Sequence, residues 1–501
     1  MIKKYLLLSS AAFVFSGAAP AQVAAPNYTS IWSFGDSLSD TGRTYFSSGV
    51  TIAYQAPKGP LYYNGRFSSG PVWVENLHKL NSTALQYDQS HNLAYGGAVI
   101  GDLISLKMKP FINNMQEQTE FFSKILDRQI SCMGWALSCT VKRSFWEKFV
   151  SNFDYAGRIT ASETGSKPLV TFAIGGNNFR QELEDRWAWD ITTGGLIPSV
   201  GTKHVPGDPN IAKRDILSKV PTELRKIDNA LATRDDIARD GVTYYVATIP
   251  NIAQTPKVNV MAQSLQDQYG KVIQETNREL KKSLFELGDE FAAKNAKTRL
   301  VVIDFDALLA EAIKSPTAFG FTETKKNCVA AETGKYVNGC SGSNSNQFLF
   351  WDEFHPTAKG HEMIARYARN TDLLEFGSNV NFIEPYVANI EWRNRSFTGN
   401  ISGSGSLIKQ GEARLTLAGN NSYAGGTRID NGTVRITSDA NLGARSGMLT
   451  LQGGALQASG TTTLNRDVKV NASQSIGQIG GSVFGGTFEV DPNVVLTLAD
   501  N

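Results

Sequence analysis

Ser37 and His355 are the residues whose types and settings point most directly to chemistry. Ser37 stands in the run Phe34-Gly-Asp-Ser-Leu-Ser-Asp40, after a short apolar stretch from Thr29 to Phe34 that reads as a buried strand. The residues after it can start a helix. A serine at such a junction has its hydroxyl exposed above the positive end of a helix, a setting that suits a nucleophile. A Gly-x-Ser-x-Gly elbow is absent, because position 39 is serine. His355 stands in Phe350-Trp-Asp352-Glu-Phe-His355-Pro356-Thr-Ala-Lys-Gly360-His361. Asp352, three residues earlier, can hold the Nδ1–H of the imidazole and leave Nε2 to deprotonate a serine. Pro356 suits the first position of the helix expected to follow. Of the five histidines (His78, His91, His204, His355 and His361), only His355 has an acid at this spacing in so distinctive a run.

Two glycine-rich segments lie between these blocks. Asn92-Leu-Ala-Tyr-Gly96-Gly97-Ala98 can present a bare backbone N–H beside a reacting carbonyl. Leu169–Ile174 reads as a buried strand, with Gly175-Gly176-Asn177-Asn178 at its carboxyl end. Ligands of open α/β sheets gather at that end, so Asn177 can aim its amide at a developing oxyanion. Asp36 is adjacent to Ser37, but a neighbouring residue on a strand end points its side chain away; a turn-stabilising role is expected. His355 and His361 fit no zinc spacing, and His361 reads as a helix histidine.

In this order the four segments resemble the GDSL esterase/lipase family of the SGNH hydrolase superfamily, named for a serine, glycine, asparagine and histidine. Ser37, Gly97, Asn177 and His355 match those four, and Asp352 matches the family's acid. The resemblance spans roughly residues 28–370 and includes Asn64-Gly-Arg-Phe-Ser-Ser-Gly-Pro-Val-Trp73 and Ala247-Thr-Ile-Pro-Asn-Ile-Ala-Gln-Thr-Pro256. It departs at Asn178, where the family usually has aspartate. The resemblance implies a carboxylic-ester hydrolase acting through an acyl-enzyme. Ser37 would be the nucleophile, His355 the base and Asp352 its orienter. Ser37 N–H, Gly97 N–H and Asn177 would form the oxyanion hole, with no cofactor or metal. The same site could pass its acyl group to an alcohol acceptor, and an adhesin carrying a vestigial hydrolase is a rival of another class.

The elements that must position these residues are legible as apolar runs at Ile31–Phe34, Leu169–Ile174, Val242–Ala247 and Leu300–Ile303. Helical stretches at Met115–Arg128, Ile211–Ala238 and Val258–Asn295 separate them. Such alternation predicts an α/β fold, a parallel sheet flanked by helices. Ser131–Ala161 and Arg180–Pro209 fit poorly and read as insertions, either packed on the surface or selecting substrate over the site.

At 501 residues two domains are expected, and a net charge of +2 gives no reason to expect a nucleic-acid partner. Residues 1–21 have the basic start, apolar core and small-residue end of a secretory signal peptide, with cleavage after Ala21 or, alternatively, Ala25. In an exported chain an even cysteine count suggests disulfides. Pairing neighbours, Cys132 with Cys139 and Cys328 with Cys340, is simplest and would contribute about 2–3 kcal/mol each at most.

Near Phe376 the composition turns to Gly, Ser, Thr and Asn between short alternating strands, such as Arg414–Leu417, Gly426–Ile429, Gly432–Ile436, Met448–Leu451 and Val494–Leu498. This divides the chain into a hydrolase region, 22–375, expected to close alone, and an all-β tail, 376–501. The tail reads as a β-solenoid (β-helix), with a small β-sandwich or sugar-binding module as the alternative. Gly405 to Thr433 resembles the passenger-associated repeat of bacterial autotransporters. That resemblance implies a protein displayed on a Gram-negative outer membrane through a C-terminal barrel, or simply secreted. No series of barrel strands follows within these 501 residues.

Overall fold

The computed structural model describes residues 25–48, 56–81, 91–100, 114–126, 165–183, 207–232, 239–471, 487–492 and 495–498. Four strands, β1 (Ser30–Gly35), β2 (Pro168–Ala173), β3 (Thr243–Ala247) and β4 (Arg299–Ile303), form one sheet in the order β1-β2-β3-β4. Every pairing is parallel, with Ile31 opposite Leu169, Leu169 opposite Thr243 and Thr243 opposite Arg299. Parallel neighbours require crossovers, and helices supply them. Between β1 and β2 come α1 (Arg43–Ser48), α2 (Trp73–Asn81) and α3 (Met115–Leu126). α4 (Gly176–Leu183) and α5 (Pro209–Ala232) join β2 to β3, and α6 (Gln263–Lys294) joins β3 to β4. α7 (Phe305–Lys314) and α8 (Ala358–Phe376) follow.

Successive strand side chains point to opposite faces, so a sheet covered on both sides needs apolar residues throughout. Ile31, Tyr245, Val301 and Ile303 pack on one face with Trp73, Leu308 and Met363 of α2, α7 and α8. Trp32, Phe34, Val170, Phe172 and Tyr244 pack on the other with Phe122, Ile216 and Ile273 of α3, α5 and α6. Two expected helix limits shift. The stretch expected from Val258 becomes helical only at Gln263, because Val258–Met261 is spent in turns closed by Val258 N–H to Thr255 O and Met261 N–H to Val258 O. The helix expected at Ile211–Ala238 is described from Pro209 to Ala232. The expected insertion Ser131–Ala161 and the Cys132–Cys139 pair lie outside the described residues, as does most of Arg180–Pro209.

Beyond α8 the chain builds two five-stranded sheets from alternate strands. One takes Tyr386–Asn389, Leu407–Gln410, Thr427–Ile429, Leu449–Leu451 and Val468–Val470. The other takes Arg395–Phe397, Leu415–Leu417, Thr433–Ile436, Ala455–Ala458 and Thr487–Val490. All pairings in both are parallel, unlike those of a β-sandwich. Leu407, Leu415, Ile429, Val434 and Leu449 fill the space between them. Asparagines stitch successive layers: Asn421 Oδ1 accepts from Ile401 N–H, and its Nδ2 donates to Asn441 O. Arg466, fully buried, donates to five backbone carbonyls and to the Asp439 carboxylate where the turns converge.

The apolar core runs unbroken from α7 and α8 into these sheets, joining Phe305, Leu308 and Tyr367 to Tyr386, Val387 and Ile408. A separate small cluster gathers Tyr62, Val329, Phe348 and Trp351 around the disulfide between Cys328 and Cys340.

Candidate active site

β1 delivers Ser37 to the carboxyl edge of the sheet. Gly35 ends that strand at φ +153, and a Cβ there would sit 2.3 Å from Ala173 O of β2, so only glycine lets the strands close. Gln118 of α3 brackets the same residue, accepting from Gly35 N–H at 3.0 Å and donating to Gly35 O at 2.9 Å. A single turn follows, closed by Ser39 and Asp40 N–H to Asp36 O. The expected helix therefore does not begin beneath Ser37. It starts at Arg43, where Asp40 accepts from the N–H groups of Gly42, Arg43 and Thr44.

His355 arrives on a loop pinched shut by Trp351 N–H to His355 O and by Thr357 N–H to Leu349 O. Pro356 does not open α8, contrary to the sequence expectation. It lies in a bridge to Phe350, and Thr357 caps the helix by accepting from Gly360 N–H. Within this loop Asp352 Oδ1 accepts from the N–H groups of Phe354 and His355, which fixes the carboxylate under the ring.

The two segments meet. His355 Nε2 lies 2.7 Å from Ser37 Oγ, and His355 Nδ1 lies 2.8 and 2.9 Å from the two Asp352 oxygens. Burial would raise the Asp352 carboxyl, but the imidazole and the two loop N–H groups together hold it below the ordinary value of 3.8. Tyr62 donates to Asp352 Oδ2 at 2.8 Å. Asp36 instead turns away and accepts from Leu38 N–H at 3.1 Å; burial raises its carboxyl to about 6. An imidazole held this way can take a proton from Ser37 Oγ while its other nitrogen stays fixed.

Asn92 to Tyr95 run beside β1, Leu93 and Tyr95 donating to Ser33 O and Gly35 O. This sets Gly96 and Gly97 at the strand end. Gly96 N–H donates to Asp40, and a Cβ at Gly96 would lie 2.2 Å from the Phe67 ring, which packs 5.0 Å from that of His355. Asn177, in the first turn of α4, donates one Nδ2 proton to Ala98 O at 3.0 Å, leaving the other for a ligand. Among the described residues, neither Ser37 N–H nor Gly97 N–H meets a protein acceptor. Asn178 accepts from Ile100 N–H at 3.0 Å and donates to Ile100 O at 2.9 Å, an exchange that aspartate could make only in half.

Ser37, Asn177 and His355 open on a cavity of about 90 Å³ whose lining includes the apolar Phe305, Leu308 and Leu309 of α7 and Met363 and Ile364 of α8. Arg180, its guanidinium 5.4 Å over the Phe354 ring, stands at the same cavity. Sequence reasoning singled out neither Tyr62, Gln118 nor Arg180. Only proximity to the Asn64–Trp73 run pointed toward Tyr62, while Arg180 stands one helical turn beyond Asn177. His361 is fully buried, and its Nδ1 accepts from Trp73 N–H at 3.2 Å. Among the described residues no cluster of His, Cys, Asp or Glu could hold a metal ion.

Known proteins resemble parts of this chain. A GDSL esterase/lipase of Arabidopsis thaliana is 22% identical over 367 residues, covering 68% of this chain and 91% of that protein. A phosphatidylcholine-sterol acyltransferase of Aeromonas hydrophila is 40% identical over 104 residues, 20% of this chain and 28% of the relative. An autotransporter adhesin of Brucella suis is 36% identical over 103 residues, 21% of this chain but 3% of the adhesin. Residues 407–436 match the passenger-associated-transport-repeat, in the segment where the sequence suggested it. The GDSL-like lipase/acylhydrolase model matches residues 31–368, well over half of the chain, so the protein belongs to that family.

Proposed function

We propose that this chain is an exported serine carboxylic-ester hydrolase working through an acyl-enzyme. The observation that carries this reading is the relay from Ser37 Oγ through His355 to Asp352, with links of 2.7 and 2.8 Å, at the mouth of an apolar cavity. Ser37 Oγ attacks the ester carbonyl carbon as His355 Nε2 accepts its proton. Asp352 holds the tautomer and offsets the imidazolium charge, with Tyr62 and two backbone N–H groups fixing the carboxylate. The tetrahedral oxyanion is received by Ser37 N–H, Gly97 N–H and the second Nδ2 proton of Asn177. Collapse releases the alcohol, which leaves with the proton from His355. Water, deprotonated by the same imidazole, then attacks the acyl-enzyme and frees the acid. The acyl chain lies along the apolar residues of α7 and α8 that line the cavity.

Acyl transfer to an alcohol acceptor is a second reading, favoured by the likeness to the Aeromonas acyltransferase. Water and acceptor compete for one acyl-enzyme, so products formed with and without an acceptor separate the two. The leader at residues 1–21 and the passenger repeat support export, with display on a Gram-negative outer membrane or release from it. The parallel layers of the tail support a β-solenoid beginning near residue 376, after a hydrolase region at 22–375. The likeness of part of the chain to the Brucella adhesin favours an adhesive role as another reading, and surface binding that survives deletion of the hydrolase region would support it.

The test of the hydrolase reading is a series of p-nitrophenyl esters of increasing acyl length, with a phospholipid and an acetylated sugar alongside. Turnover should occur in the purified protein and vanish in Ser37→Ala. Equal turnover in a folded Ser37→Ala variant would overturn the reading.

A further inference from the structure

The two helices that wall the cavity are also the ones against which the tail packs. Phe305, Leu308 and Leu309 of α7 and Met363 and Ile364 of α8 face the cavity. The tail grips both ends of α7. At its start, Asp304 caps the helix by accepting from Ala307 N–H. The other Asp304 oxygen accepts from Asn389 Nδ2 at 2.9 Å and from Lys281 Nζ at 3.0 Å. Lys281 in turn binds Glu391 of the tail at 2.9 Å. Thr248, which also lines the cavity, donates to Asp304 Oδ1 at 3.0 Å, so this buried network reaches the cavity itself. At the last turn, Arg428 forms a two-pronged pair with Glu311, at 3.0 and 2.6 Å, and Glu311 has a side chain only 1% exposed. Asp430 holds the same guanidinium from the tail side. α8 is held likewise: Tyr367 donates to Val387 O and Arg366 pairs with Glu384.

A helix whose two ends are tied by buried, charge-assisted bonds has little freedom to shift. Its apolar face, one turn from Glu311, takes its position from those ties. We propose that the β tail is a working part of the hydrolase site, and that Arg428 and Asn389 are positioning residues that set the acyl-chain preference by holding the α7 wall. This rests on the ester-hydrolase reading above. It departs from the composition break, which led to the expectation that residues 22–375 close alone.

Full-length Arg428→Gln and Asn389→Ala test it, with kcat and KM measured on p-nitrophenyl acetate and p-nitrophenyl decanoate. Acetate reaches only Ser37 and the oxyanion donors, whereas a decanoyl chain must lie along α7. The expected result for Arg428→Gln is a loss of kcat/KM about tenfold greater on decanoate than on acetate, carried by KM. Asn389→Ala, which removes the bonds from Asn389 Nδ2 to Asp304 and Glu391 but leaves the Lys281–Asp304 and Lys281–Glu391 pairs, should show the same bias to a smaller degree and remain folded. Equal losses on both esters would mean general destabilisation and would overturn the proposal, as would unchanged kinetics in both variants. If the wild-type protein shows no Ser37-dependent turnover of acetate, the hydrolase reading itself falls, and the positioning role falls with it.

Discussion

Asp36→Asn should stabilise the protein, and do so more strongly as pH rises. The Asp36 side chain lies in a 4% exposed residue beside Ser37 and accepts one hydrogen bond, from Leu38 N–H. Burial, opposed by that N–H and by His355 and Arg180, raises its carboxyl from 3.8 to about 6. A raised acid means that the folded state binds the proton more tightly than the unfolded chain does. Between pH 4 and 6 the folded state thus holds more protons, and stability falls as pH rises through that window. Above it, the charged carboxylate costs roughly 3 kcal/mol; the cost drops to roughly half near pH 5 and to about 0.5 kcal/mol near pH 4. Asparagine keeps the acceptor for Leu38 N–H and carries no charge. Urea unfolding of both proteins at pH 8, 5 and 4 should therefore show a gain of about 1–3 kcal/mol at pH 8 that nearly vanishes at pH 4. Because Asp36 does not touch the imidazole, this variant should also lose far less activity than Asp352→Asn. A stability difference independent of pH, or activity losses in the reverse order, would refute the reasoning.

Asn177→Ala should lower kcat by about 10²–10³ with little change in KM, since it deletes a donor that matters once the oxyanion forms; a change mainly in KM would make Asn177 a binding residue. Tyr62→Phe removes a hydrogen bond to a buried carboxylate and should cost about 1.5–3 kcal/mol in unfolding free energy while lowering kcat, and an unchanged Tm would contradict it. Asn178→Asp restores the residue usual at this position of the family but leaves Ile100 O without its donor. It should destabilise by about 1–3 kcal/mol and gain no rate, as steady-state kinetics and denaturation can check.

The parts of the site legible in the sequence were those that carry their own local context. Ser37 and His355 each sit in a run whose residues build the turn that presents them, and Asp352 lies within the same loop as its imidazole. The strands were legible for a similar reason: buried on both faces, they read as continuous apolar runs. Contacts made by the fold were not legible. Tyr62 reaches Asp352 across 290 positions and Gln118 reaches Gly35 across 83, and no local pattern encodes either. Pro356 suggested a helix start, but the bridge to Phe350 claimed it and left the cap to Thr357. The break in composition near Phe376 marked a change in the kind of structure. It carried no sign that Arg428 and Asn389 would cross it to bind α7.

The central claim is that Ser37, activated by His355, is the nucleophile. The most direct measurement is mass spectrometry of the intact and digested protein after reaction with a p-nitrophenyl alkylphosphonate, which transfers one phosphonyl group to an activated serine and releases p-nitrophenol. The account predicts a single adduct, on the peptide bearing Ser37, formed in parallel with loss of esterase activity and almost abolished in His355→Ala. An adduct on another residue, or full activity retained by protein phosphonylated at Ser37, would contradict it.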